Sequence, residues 1–176
     1  IVVELTIPAL EVPDLQLELT SINHAYRGGD LLGVGDSADC HVNAACEAGD
    51  PWRDQIRSVA MFHVVSGLNL MRGTGSLINN TAEDDRPYFL TAFHVLDVDK
   101  DHVIEDPNAI ARTMVIYWDY EASDCDGTYD YDYTTQSGAI FRAGYWKTDF
   151  ALVELEDMPP HTAGVFFIKG AGANTW

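Results

Sequence analysis

Short apolar runs separated by turn-forming residues occupy the chain from Ile56 onward, and this spacing restricts the possible folds most. Turn signals such as Asn79-Asn80 and Asp126-Gly127 stand between the runs. Short strands at such spacing are typical of an all-β sandwich or barrel. Strands are predicted at 58–65, 75–79, 88–92, 114–120, 138–143 and 150–155. Helix signal is weak, and a short turn after His94 is the best candidate.

The first 34 residues differ from the rest of the chain. They are apolar and acidic, with one alternating stretch at 15–19 that predicts a single strand. Glycine-rich punctuation at Gly28-Gly29 and around Gly33 then indicates a linker or processing region. We therefore divide the chain into residues 1–34 and a folded domain over residues 35–176.

Charge and hydropathy exclude two classes of partner. The formal net charge is −18, from 10 Lys and Arg against 28 Asp and Glu. Phosphate contacts need a basic surface, so neither nucleic acid nor an anionic membrane is an expected partner. No apolar run approaches the ~20 residues that a bilayer-spanning helix needs.

A histidine and an aspartate, both capable of acid–base chemistry, lie at the ends of predicted strands. The apolar run before His94 predicts a strand that ends close to this histidine, and Asp149 stands directly before the strand at 150–155. A carboxylate beside a histidine fixes the ring tautomer and stabilises the imidazolium. Taken alone, each residue has a structural alternative: a packed histidine, and an aspartate in a turn.

Ordered motifs give these two residues a specific context. The segments GTGSLINNT (73–81), FLTAFHV (89–95) and TDFALVEL (148–155) resemble, in this order, landmarks of the first barrel of trypsin-like serine proteases. The segments at 40–60 and 114–125 are most similar to bacterial lysyl endopeptidases within that superfamily. The resemblance covers roughly residues 33–158. It implies a six-stranded antiparallel β-barrel preceded by a propeptide-like extension.

The resemblance also assigns roles to individual residues. His94 matches the general base and Asp149 the carboxylate that orients it. Cys46 and Cys125 match a disulfide pair, and Cys40 matches a cysteine that reaches the second barrel. The family also implies a polypeptide substrate and no cofactor. It implies a secreted bacterial protein, located outside the cell or in the periplasm.

The chain departs from the family pattern in two ways, and the second changes the expected function. Val95 stands where a cysteine usually follows the histidine, and the segment that would hold its partner, 68–75, also lacks one, which fits a lost disulfide. No GDSGGP-like segment occurs in the 176 residues. Ser66, Ser76 and Ser137 are rejected as nucleophiles because none has a glycine-rich oxyanion loop. We therefore expect the N-terminal half of a serine endopeptidase, inactive without its missing C-terminal barrel.

An acidic loop and the missing nucleophile leave two other functions open. Asp97, Asp99 and Asp101 copy the first three ligand positions of a calcium loop. His102 replaces the usual glycine and Asn108 the usual glutamate, so a solvated acidic loop is the simpler interpretation. The alternatives are a calcium-dependent adhesion domain and a non-catalytic binding module derived from a protease.

Overall fold

The structure is a computed structural model that describes residues 42–66, 69–82, 84–126 and 133–159. The propeptide-like segment 1–34, its predicted strand and Cys40 lie outside these ranges, as does the end of the domain.

The described residues form one antiparallel sheet with three short α-helices. The strands are β1 Val59–Ser66, β2 Asn69–Ile78, β3 Tyr88–Thr91, β4 Val115–Trp118, β5 Thr134–Ser137, β6 Ala139–Tyr145 and β7 Phe150–Leu155. The helices are α1 Arg53–Ile56, α2 Phe93–Leu96 and α3 Pro107–Arg112, with 3₁₀ turns at Glu47–Trp52 and Trp146–Thr148. None of these helices has the length and apolar character to cross a membrane.

Alternation of apolar side chains places the strands in the sheet. Every second residue of a strand points to the same face, so a two-residue apolar period buries one face of the strand. β1 and β7 both follow this rule, and the core they share contains Ala60, Phe62, Val64, Ala151, Val153 and Leu155. At its centre Phe89 packs edge-to-face against Phe62 and Trp118, with ring centroids 6.0 Å apart in both pairs.

The sheet curls because its two end strands are neighbours in the chain. The strand order is β5-β4-β1-β2-β3-β7-β6, yet only Gly138 separates β5 from β6. The N–H of Gly138 donates to the carbonyl of Met114 beside β4, and its carbonyl accepts from Glu156 after β7. Gly138 has a φ of +89°, a conformation that glycine adopts readily.

The structure confirms that the described part of the chain is mostly β. The six predicted strands fall on β1, β2, β3, β4, β6 and β7, and α2 lies where the short helical turn was expected. The six-stranded barrel is not confirmed, because the described residues form a curled sheet of seven strands. The additional strand is β5, whose polar sequence TTQS carries no apolar alternation.

One covalent link fastens the chain before β1 to the chain after β4. Cys46 and Cys125 form a disulfide with Cα atoms 4.4 Å apart, which confirms this predicted pair.

The residue that follows His94 packs against β2. A Cβ on Gly73 would come within 3 Å of both Val95 and Phe62, so β2 passes directly against Val95. The predicted loss of a disulfide at Val95 stays a prediction.

Candidate active site

His94 is held at the surface by a helix whose other side chains are buried. β3 ends at Thr91, whose hydroxyl donates to the carbonyl of Thr74 at 2.9 Å. α2 then turns Phe93, Val95 and Leu96 into the core. His94 is the one residue of this short helix that points outward, so packing of its neighbours determines where its ring stands.

Asp149 reaches the same place from the neighbouring strand. It ends the 3₁₀ turn Trp146–Thr148 and adopts the left-handed conformation, with φ of 52°, which aspartate tolerates. β7 pairs with β3 in antiparallel register, with Ala151 opposite Thr91. Asp149 precedes one partner by two residues and His94 follows the other by three, so both lie at one end of the strand pair.

Asp149 contacts both the ring and the backbone of the helix that carries His94. Nδ1 of His94 lies 2.8 Å from Oδ2 and 3.0 Å from Oδ1 of Asp149. Oδ1 also accepts the backbone N–H of His94 at 3.0 Å. The carbonyl of Asp149 accepts the N–H of Phe93 at 3.2 Å. These N–H groups open the helix and have no partner within it, so Asp149 satisfies them while orienting the ring.

This geometry sets the chemical state of both side chains. The carboxylate accepts a proton held on Nδ1, which leaves the lone pair of neutral His94 on Nε2. The backbone N–H of His94, followed by its ring, lowers the pKa of Asp149 below its ordinary value. Asp149 is therefore anionic at neutral pH, and Nε2 is free to accept a proton from another group.

Exposure distinguishes this pair from a packed structural contact. The side chains of His94 and Asp149 are 64% and 51% exposed. Among the described residues, the hydrogen bonds of the His94 side chain all go to Asp149. Ser66, Ser76 and Ser137 lie on β1, β2 and β5, and none of the described hydrogen bonds of the His94 side chain goes to their hydroxyls.

A largely apolar cleft of about 250 Å³ is lined by residues near the pair in the chain, although not by His94 or Asp149 themselves. Its lining includes Phe93 and Trp146, which are close chain neighbours of His94 and Asp149. The aromatic side chains of Tyr145 and Trp146 are exposed at its edge. These residues were not predicted to be functional, although the aromatic pair just before Asp149 was a signal that could have identified them. The remaining lining residues are His102, Val103, Ile104, Pro107, Phe141 and Gly144.

The three acidic residues of the possible calcium loop also come together. One carboxylate oxygen from each of Asp97, Asp99 and Asp101 lies within 4.8 Å of the other two. Asp97 is the residue directly after α2. The acidic cluster and His94 therefore belong to one continuous stretch of chain.

The comparison with known families agrees with the motifs and the geometry. The family model for the lysyl endopeptidase C-terminal domain matches residues 34–174, well over half of the chain. This match contains β1 to β7, His94, Asp149 and the disulfide. The chain belongs to the lysyl endopeptidase C-terminal domain family, a protease family.

Proposed function

We propose that this chain supplies the general base and its orienting carboxylate to a secreted serine endopeptidase. One observation carries the proposal: Oδ2 of Asp149 lies 2.8 Å from Nδ1 of His94, on a histidine whose side chain is exposed. The membership of the chain in a protease family makes peptide-bond hydrolysis the chemistry that uses such a pair.

The mechanism follows from the two ring nitrogens. Nε2 of His94 takes the proton of a serine hydroxyl as its oxygen attacks the scissile carbonyl carbon. Asp149 holds Nδ1–H and stabilises the imidazolium that results. His94 then gives the proton to the leaving amine as the C–N bond breaks, and water repeats the sequence to release the acyl group.

The nucleophile is proposed to come from polypeptide outside these 176 residues. The 176 residues contain no GDSGGP-like segment, and within the described residues the hydrogen bonds of the His94 side chain go to Asp149 rather than to a serine. The open exposure of His94 and Asp149 supports a second surface that covers them, since catalysis gains from excluding water. By the resemblance to trypsin-like proteases, this surface would be a second barrel, which would also carry the oxyanion hole.

The apolar cleft is proposed to receive part of the polypeptide substrate. Its lining begins at Phe93, next to the base, and extends to the exposed aromatic rings of Tyr145 and Trp146. Pockets that are mostly apolar with a few polar groups nearby are typical of ligand sites. A substrate side chain in this cleft would help to hold the scissile bond next to His94.

The disulfide and the protease family both support the proposal that the protein is secreted. Disulfides persist in oxidising compartments and are rare in the cytosol. The link between Cys46 and Cys125 therefore supports an extracellular or periplasmic location.

Active-site labelling tests the proposal. The complete reading frame and the 176-residue chain are each treated with a fluorophosphonate, and the labelled serine is identified by mass spectrometry. We expect label only in the longer protein, at a serine outside residues 1–176. His94→Ala should abolish labelling, while the matched variant His63→Gln, on β1, should keep it.

Three outcomes would contradict the proposal. Label on a serine within 1–176 that depends on His94 would mean that the nucleophile lies in this chain. A reading frame that ends at Trp176 would favour a protease-derived binding module. Full labelling of the His94→Ala variant would remove His94 from the mechanism.

A further inference from the structure

The acidic loop after α2 contains a buried carboxylate that the proposed catalysis does not use. Asp97 is only 4% exposed, although two of its close neighbours in the loop are acidic and exposed. Its Oδ2 accepts the backbone N–H of His102 at 3.0 Å. Its Oδ1 is buried and has no hydrogen-bond partner among the described residues. A buried carboxylate oxygen normally binds a donor or a cation, so the orphaned Oδ1 points to a ligand.

The surrounding side chains are suited to a cation and do not neutralise one another. One carboxylate oxygen from each of Asp97, Asp99 and Asp101 lies within 4.8 Å of the others. The ion pairs among the described residues involve none of these three carboxylates, although Lys100 stands between two of them in sequence. Three uncompensated carboxylates at this separation repel one another, and a bound cation would reverse that repulsion.

The spacing and the ligand type favour calcium. Calcium binds six to eight oxygen ligands at about 2.3–2.6 Å, so two oxygens on one ion lie at most about 5 Å apart. The oxygens of the cluster fall within this limit. Magnesium needs a near-ideal octahedron with ligands at about 2.0–2.1 Å and gives up its water reluctantly, so a site built from several protein oxygens suits it less well. We propose that Asp97, Asp99 and Asp101 bind one calcium ion, with backbone carbonyls and water completing its coordination.

The position of the site gives it a structural effect on both catalytic candidates. Asp97 follows α2 directly and its N–H donates to the carbonyl of Phe93. His102, whose N–H holds Asp97, stacks its ring 4.3 Å from that of Trp146. Trp146 in turn begins the 3₁₀ turn that ends at Asp149. An ion in the loop would therefore brace the helix of His94 and the turn of Asp149 together. The proposal holds whether or not His94 acts as a base.

Calorimetric titration of calcium chloride into the chelator-treated 176-residue chain tests this inference. We expect one ion per chain with a dissociation constant of about 10⁻⁵–10⁻³ M, the range of sensor and extracellular calcium sites, and a rise in melting temperature with calcium. Asp99→Asn and Asp101→Asn should each weaken binding about tenfold or more, since each removes a charged ligand. Both side chains are exposed, so these variants should fold.

Glu105→Gln is the matched control. It removes the same charge from the same exposed loop but lies outside the cluster, and it should bind calcium like the unmodified chain. Equal loss in the control would show diffuse attraction to an acidic surface and would overturn the site. Absence of saturable binding at about 10 mM calcium, well above the expected range, would also overturn it. Magnesium binding as tight as calcium binding would refute the assignment to calcium.

Discussion

Asp149 serves the backbone and the ring of His94 at once, and an amide can replace only the first of these functions. Asp149→Asn keeps an oxygen for the N–H of His94 and tolerates the positive φ. It favours the wrong ring tautomer, because its NH₂ group cannot accept the proton of Nδ1. In the complete protease we expect kcat/KM to fall about 10⁴-fold, as in serine proteases with this substitution, with little change in melting temperature.

Asp157→Asn provides the control for this prediction, since Asp157 is an exposed aspartate just beyond β7. It should leave kcat/KM within a factor of about two, as expected for a surface change far from the chemistry. An Asp149→Asn enzyme with nearly full activity would contradict the orienting role.

We expect the protein to become less stable under mildly acidic conditions because of the environment of His63. Its Nδ1 lies 3.3 Å from the hydroxyl of Tyr117, and burial, followed by the charge of Arg72, lowers its pKa below 6.5. The unfolded chain therefore binds a proton more readily than the folded protein does. Stability should fall as the pH drops from about 6.5 through the lowered pKa, and then level off.

Urea unfolding at a series of pH values measures this effect. His63→Gln removes the titrating group, so its stability should depend less on pH across that window. An unchanged slope in the variant would show that other groups cause the loss.

At the residue scale, the sequence could predict the site only through motifs. His94 and Asp149 are 55 residues apart, and no periodicity predicts contact across that distance. The burial of Asp97 was not predictable, because its acidic sequence context is typical of an exposed loop. The backbone contacts of Asp149 depend on strand register, which emerges only when β3 and β7 pair.

Gly138 connects β5 and β6, the two outer strands of the sheet. A side chain fits poorly at this position. A Cβ at this residue would lie 2.6 Å from Oε2 of Glu156, and a φ of +89° is strained for any other residue. We expect Gly138→Ala to lower the free energy of unfolding by about 1–3 kcal/mol.

Denaturant titration checks this value, with Ser137→Ala as the neighbouring control. Ser137 is exposed at the end of β5, so its loss should cost no more than about 0.5 kcal/mol. Equal effects of the two substitutions would mean that the conformation of Gly138 carries no special cost.

At the element scale, the strands that pack apolar side chains into the core were predictable from the sequence, and the exposed strands were not. β7 begins and ends as predicted, because alternate apolar residues face the core. β5 and the first half of β2 are largely exposed, so no apolar pattern marks them. α3 did carry a signal, since Asp106 caps it and Pro107 begins it, but the acidic residues around it favoured a loop.

At the scale of the whole molecule, the disulfide is the single long-range covalent restraint in the described residues. Cys46 and Cys125 are 79 positions apart. The chain-entropy model gives a stabilisation of roughly 4 kcal/mol for a loop of this length, as an upper value. We expect the double variant Cys46→Ser/Cys125→Ser to lose most of this free energy of unfolding.

Urea unfolding of this variant should match that of the unmodified chain after reduction. If the reduced chain and the variant both keep full stability, the bridge does not restrain the unfolded state as the model assumes.

The same bridge makes residues 46–125 a closed covalent ring that contains His94 and leaves Asp149 outside it. A single proteolytic cut inside the ring, for instance at the exposed Lys100, would divide the polypeptide without separating the pieces. Such a nicked molecule would migrate as one species on a non-reducing gel and as two after reduction. A chain exposed to proteases can thus lose its continuity at this loop while both catalytic candidates stay in one particle.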